Sequence, residues 1–168
     1  MLAAFGLEYR LSKTQIRAAS DYMIQNPDKL SDILDFLLDD NIQIVQNAAW
    51  ILGKAGQIPS DILAIHFDRI IHILDRPKHP SVTRNIIRIL QLTEIPEQYQ
   101  GLIYDRCFNY IINPNVPTAI RAFSITVCHH IARYHPELKT ELQITLKDIY
   151  QDGSPGIKSR IKNTLKHL

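Results

Sequence analysis

Residues 41–53 of the chain read NIQIVQNAAWILG, and a matching apolar pattern returns three more times at an offset of 37 or 38 residues. The four copies begin at Asn41, His79, Val116 and Ser154. Apolar positions within each copy lie four residues apart, which is the spacing of one helix face and not that of a strand. The matched rows are Ile44, Val82, Ala119 and Ile157; Ala48, Ile86, Phe123 and Ile161; and Leu52, Leu90, Val127 and Leu165.

A second set of apolar rows lies between these copies and repeats with the same offset. Its members are Leu30, Phe67, Tyr104 and Leu142; Leu34, Ile71, Phe108 and Leu146; and Leu37, Leu74, Ile111 and Ile149. Two amphipathic helices per period indicate helix pairs stacked side by side, each covering an apolar stripe that its neighbour exposes. The sequence therefore predicts an all-α, right-handed α-solenoid of antiparallel helix pairs, with about four repeats and a final helix.

Prolines mark where these helices begin, because a proline at the first helical position loses no hydrogen bond. Pro80, Pro117 and Pro155 open first helices, and Ser12 with Gln15 is typical of a capping box. Pro59, Pro96 and Pro136 open second helices in the same way. We expect nine helices, over about 12–26, 28–39, 41–54, 59–76, 80–92, 96–113, 117–134, 136–151 and 155–167.

The repeats predict one domain over residues 1–168 with three parts. Residues 1–40 form a divergent capping pair, residues 41–152 the regular repeats, and residues 153–168 a basic capping helix. Terminal units of a solenoid need atypical sequences because one of their faces has no neighbour.

Residues 41–53 resemble the first helix of a HEAT-like repeat, which has an Asp or Asn, a Val or Ile three residues on, paired small residues and then Leu-Gly. The segments His79-Pro-Ser-Val82 and Ser154-Pro-Gly-Ile157 are similar to the opening of that motif. The resemblance covers residues 28–168 and implies an α-solenoid. HEAT-like proteins serve as scaffolds, adaptors and occasional enzymes, so the resemblance alone does not assign a function.

The chain departs from the HEAT-like pattern where a basic side chain usually follows the apolar residue. The four repeats have Val45, Thr83, Ile120 and Lys158 at that position, with Arg84 and Arg121 one place later. This departure puts the usual ladder of charges between repeats in doubt.

Charge is distributed unevenly along the chain, although the net charge is only +2. Residues 28–75 contain eight Asp and three basic side chains, whereas residues 76–168 contain thirteen Lys and Arg and seven acidic side chains. Such an imbalance is ordinarily a solvated face and is otherwise a binding surface for a charged partner.

No residue pattern indicates catalysis, a cofactor or a metal ion. His129 and His130 are adjacent, so their side chains diverge by about 100° on a helix, whereas paired metal ligands prefer positions i and i+4. Cys107 and Cys128 have no CxxC spacing and are typical of reduced core thiols in a cytoplasmic protein. No apolar run approaches the roughly 20 residues that cross a bilayer. We expect a cytoplasmic protein that is not an enzyme.

Partner-binding candidates lie on the second helices, which line the concave face in HEAT-like proteins. Polar side chains at matching heights there either pair with neighbouring helices or recognise a protein or peptide, and Tyr and Arg often dominate such contacts. The candidates are Arg69, His72, Tyr104, Arg106, Asn109 and Tyr110.

The sequence favours a non-catalytic protein-interaction or scaffolding module. The alternative is a nucleic-acid-binding HEAT-like protein, because some HEAT-like proteins excise damaged bases from DNA. Asp68 and Asp105 on the second helices argue against that alternative, since carboxylates repel phosphates. A basic final helix keeps it open, with Lys158, Arg160, Lys162 and Lys166.

Overall fold

The structure of the protein is a computed structural model that describes residues 5–55, 58 and 60–168. Over those residues it contains ten α-helices and no strand, so the all-α prediction is confirmed. A 3₁₀ turn, Pro27–Lys29, precedes the second helix. The helices are α1 (Lys13–Gln25), α2 (Leu30–Phe36), α3 (Ile42–Lys54), α4 (Ser60–Ala64), α5 (Phe67–Asp75), α6 (Pro80–Leu90), α7 (Glu97–Ile112), α8 (Thr118–Ala132), α9 (Pro136–Asp148) and α10 (Pro155–Leu165).

The chain divides into two compact units, an N-terminal unit (Met1–Glu94) and a C-terminal unit (Ile95–Leu168). In the N-terminal unit α3 packs against α1 on one side and α6 on the other, while α2 covers α3 and α5 covers α6. In the C-terminal unit α8 packs against α7, α9 and α10. First helices thus stack on first helices within each unit, which is the packing of an α-solenoid. That the whole chain is one domain stays a prediction.

Helix starts follow the predicted signals. The Ser12 hydroxyl oxygen accepts the Gln15 N–H at 3.3 Å, and Gln15 Oε1 accepts the Ser12 N–H at 3.0 Å, so the capping box is confirmed. Pro80 is the first residue of α6, and Pro117 is the N-cap of α8. Pro59 lies outside the described residues.

The helix expected over residues 59–76 is interrupted at residues 65 and 66, so the prediction of one continuous helix was wrong. The N–H of His66 donates to the Leu63 carbonyl at 2.9 Å, three residues back instead of four, and the backbone there has φ −107° and ψ 6°. α5 begins at the next residue, Phe67, which is fully buried, while Ile65 is 80% exposed. No Gly or Pro marks the break, so the local sequence carried no signal for it.

The predicted apolar rows form the core. Ala48, Ile86 and Ile161 have no exposed surface, as expected of side chains packed between stacked helices. Phe123, in the same row, is only partly buried, so the expectation that it is fully packed was wrong.

Polar side chains tie neighbouring segments together within each unit. In the N-terminal unit the Asn47 side-chain amide donates to the carbonyls of Leu7 and Tyr9, at 2.8 Å and 2.7 Å. In the C-terminal unit Arg160 donates to the Thr126 hydroxyl at 2.6 Å. These bonds satisfy polar groups that packing removes from water, which is where a hydrogen bond matters most.

Gly53 permits the close approach of α3 and α6. A Cβ atom at this position would lie 1.9 Å from the Asn85 Oδ1 atom, closer than any non-bonded contact allows. The glycine that ends the repeat motif therefore has a steric role at the interface between neighbouring first helices.

Replacing Ile86 with Ala should lower the free energy of unfolding by about 2–5 kcal/mol, because it leaves a cavity between stacked helices. The matched control is Arg84→Ala on an exposed position of the same helix, which should change stability by less than about 0.5 kcal/mol. Urea denaturation followed by circular dichroism measures both. A loss below about 1 kcal/mol for Ile86→Ala would contradict the packing described here.

Candidate functional site

The six predicted site residues are distributed over two helices, one in each unit. Arg69 and His72 lie on α5 of the N-terminal unit. The other four lie on α7 of the C-terminal unit and are Tyr104, Arg106, Asn109 and Tyr110.

Arg69 joins α5 to α2. One guanidinium nitrogen donates to the Ser31 hydroxyl at 3.1 Å and to the Ser31 carbonyl at 3.2 Å, and the other forms an ion pair with Asp35. The Arg69 side chain is 27% exposed, whereas that of Asp35 is 69% exposed. Arg69 therefore pairs neighbouring repeats, which is one of the two interpretations that the sequence left open.

His72 lies one turn beyond Arg69 and is exposed. Asp68 and Asp75 are exposed at positions four before and three after it, so the three side chains share one face of α5. This face of the N-terminal unit is consequently acidic with a single imidazole at its centre.

Tyr104 belongs to the core of the C-terminal unit. It is 2% exposed, and its hydroxyl donates to the Leu138 carbonyl at 3.1 Å. Its ring stacks on that of Phe108 with a centroid distance of 5.7 Å. Burial raises the pKa of Tyr104, so the phenol stays protonated and keeps its bond. Tyr104 is therefore not accessible to a partner.

The remaining α7 candidates lie beside apolar side chains that sequence reasoning missed. Asn109 is exposed, and Arg106 and Tyr110 are half-buried. Leu102 and Ile112, seven residues before and three residues after Asn109, are 46% and 45% exposed. The exposed residues Leu102, Asp105, Asn109 and Ile112 lie on one side of α7 and form a stripe, which we call the α7 face. A helical-wheel comparison with the buried rows would have found it.

A groove runs between the end of α9 and the last helix, α10. Its volume is about 410 Å³, within the range of ligand pockets. Its lining residues are Lys147, Tyr150, Lys162, Leu165 and Lys166, and we call it the lysine groove. Basic residues of the final helix had been singled out from the sequence, and Leu165 had been predicted as a member of an apolar row, but Tyr150 had not been singled out.

Burial shifts the pKa of Cys128, His129 and His130 toward their uncharged forms. Cys107 and Cys128 are both free and buried, and burial raises the pKa of the Cys128 thiol. Burial also lowers the pKa of His129 and of His130. A protonated thiol is a poor nucleophile, so this cluster does not resemble an activated Cys–His pair.

Within the described part of the chain, no group of three or more His, Cys, Asp or Glu side chains is placed to hold a metal ion. No helix among the same residues is both long and apolar enough to cross a membrane.

Stability should fall as the pH is lowered from 7.5 to 5.5, because His129 and His130 have lowered pKa values in the folded protein. Below about pH 6.5 the unfolded chain binds protons that the folded chain resists, so the free energy of unfolding decreases. The double variant His129→Gln with His130→Gln should show a flatter decrease in thermal unfolding scans across this range. An unchanged slope would contradict the assignment.

Comparison with known proteins gives one finding. A family model for the HEAT repeat domain matches residues 5–168. No curated protein and no solved structure is similar enough to count as a match. The matched range contains all ten helices, and the stacking of α3 on α6 and of α8 on α10 is the packing expected of such repeats. The chain belongs to the HEAT repeat family.

Proposed function

We propose that the protein is a non-catalytic protein-interaction or scaffolding module that acts in the cytoplasm. HEAT repeats are commonly protein-interaction scaffolds. The observation that carries the proposal is the exposure of large apolar side chains on the second helices of the C-terminal unit. Leu102 and Ile112 on α7 are about half exposed, and Ile144 on α9 is 57% exposed. Large exposed apolar side chains with polar neighbours on one helix face are typical of docking surfaces.

The docking surface that we propose in the C-terminal unit is centred on the α7 face. Asn109 supplies a donor and an acceptor between Leu102 and Ile112, Asp105 adds a carboxylate on the same side of the helix, and the half-buried Arg106 and Tyr110 flank the stripe. Arg and Tyr often contribute most of the binding energy at interfaces. A protein or peptide with an apolar ridge and polar edges fits this surface.

The α5 residues contribute a smaller, separate surface in the N-terminal unit. Arg69 is engaged with Ser31 and Asp35, so His72 is the predicted residue on this helix that stands most open to solvent. We therefore assign Arg69 to the support of that surface and His72 to contact with a partner.

The absence of catalysis and the compartment are parts of the same proposal. The candidate nucleophile Cys128 is fully buried, with a pKa raised by burial, and His129 beside it is only 6% exposed. Two cysteines that remain free suit a reducing compartment, where disulfides are rare.

The nucleic-acid alternative draws support only from the last helix. Lys162 and Lys166 are exposed there, but Arg160 is directed to Thr126 and Lys158 lies over the Tyr150 ring at 5.8 Å. Two of the four basic side chains singled out on this helix are therefore engaged within the protein, whereas Asp105 on α7 and Asp68 on α5 are exposed. A protein partner is therefore the better-supported proposal.

The double variant Leu102→Glu with Asn109→Glu tests the α7 face. Both positions are exposed, so thermal unfolding should shift by only a few degrees. A partner is first captured from the native cell and identified by mass spectrometry, and is then purified for calorimetric titration. Affinity for it should fall at least about tenfold, because the variant buries carboxylates against an apolar surface.

The matched control is Thr14→Glu with Thr118→Glu, which adds the same charge at exposed positions of the first helices α1 and α8. This control should bind as the unmodified chain does. Equal affinity of all three proteins would place the interface elsewhere, and failure of the unmodified chain to retain any protein would contradict the proposed module.

A further inference from the structure

The lysine groove contains four residues that lie outside the apolar rows of the repeats, Tyr150 and three lysines, beside Leu165, which belongs to one of those rows. Tyr150 and Leu165 are half-buried and form its apolar floor, while Lys147, Lys162 and Lys166 are exposed around it. None of these three lysines lies within ion-pair distance of a carboxylate among the described residues. Asp148 and Asp152 flank Tyr150 in sequence, but neither lines the groove.

A fourth cation supports the floor of the groove. Lys158 Nζ lies 5.8 Å from the centroid of the Tyr150 ring, the distance of a cation–π contact. Lysine stems also add apolar surface beneath their charged ends. The groove thus combines an apolar bottom with positive charge on its rim.

We infer that the lysine groove is a binding site for an acidic peptide segment that carries an apolar side chain. The apolar side chain packs against Tyr150 and Leu165, and flanking carboxylates lie next to the rim lysines. The volume of about 410 Å³ admits a side chain of this kind. Opposite charges around an apolar contact provide both attraction and selection of the partner.

The residues that line the groove favour a peptide over a nucleic acid as its ligand. Single strands bind where bases stack on exposed aromatic faces along a basic track. Tyr150 is the one aromatic residue of this groove, it is half-buried, and Lys158 lies over its ring. The floor therefore suits a branched aliphatic or aromatic side chain better than a row of bases.

This inference deepens the proposed function, because it names a second surface and the chemistry of its partner. It is tested with a defined peptide, so a negative result would not contradict the docking surface proposed at the α7 face. The probe is a short fluorescein-labelled peptide with one leucine between pairs of glutamate, titrated with the full chain and followed by fluorescence anisotropy.

The test variant is Lys162→Glu with Lys166→Glu, which should weaken peptide binding at least about tenfold. Its control is Lys13→Glu with Lys54→Glu, which makes the same charge change at exposed positions of α1 and α3. The control should bind within about twofold of the unmodified chain, because neither of its lysines lines the groove and salt screens exposed charges. Circular dichroism checks that each variant is folded, and Lys162→Ala with Lys166→Ala replaces the test variant if it is not.

A peptide with serine in place of leucine tests the apolar floor without changing the protein. It should bind at least about fivefold more weakly, since burying even part of a leucine contributes more than about 1 kcal/mol. Equal binding of both peptides, or of the test variant and its control, would overturn the inference. Tighter binding of a short single-stranded DNA that is lost in the test variant would also overturn it and would identify a nucleic-acid site.

Discussion

Stacking of first helices is the constraint on which the rest of the structure depends. An amphipathic helix pair of this length cannot cover its own apolar surface, so each first helix must be covered by the next one. Within the N-terminal unit α3 lies between α1 and α6, and Ala48, Ile51 and Leu52 have no exposed surface. Gly53 brings α3 so close to α6 that Asn85 occupies the space of a side chain. Second helices such as α5 and α7 pack mainly against one first helix, so more of their surface is exposed to solvent.

The helix content and most of the core could be predicted from the sequence because both follow from periodic apolar residues. Ile86 is buried as its row predicts. The break before Phe67 could not be predicted, because the backbone at His66 adopts an i−3 bond without Gly or Pro. Phe67, which follows the break, is completely buried. That burial depends on neighbouring helices, which the local sequence does not specify.

The candidate site was less predictable than the fold for a related reason. Whether a polar side chain contacts solvent or another helix depends on how the helices pack. Two residues of the same type can therefore have different surroundings. Tyr104 bonds to Leu138 and Arg69 to Ser31, whereas Tyr110 keeps part of its surface open. Arg160 turns to Thr126 while Lys162, two residues on, lines a groove. Spacing along a helix identifies faces, but only the packed neighbours decide which face is free.

Native-state hydrogen exchange tests the central claim most directly, because protection of backbone amides reports the stability of each helix. Helices that are covered on several sides should exchange most slowly. We expect the strongest protection in α3 and α8, each of which packs against three other helices, and weaker protection in the short helix α4. Protection that is uniform along the chain, or that is strongest in α5 or α9, would contradict an account based on stacked first helices.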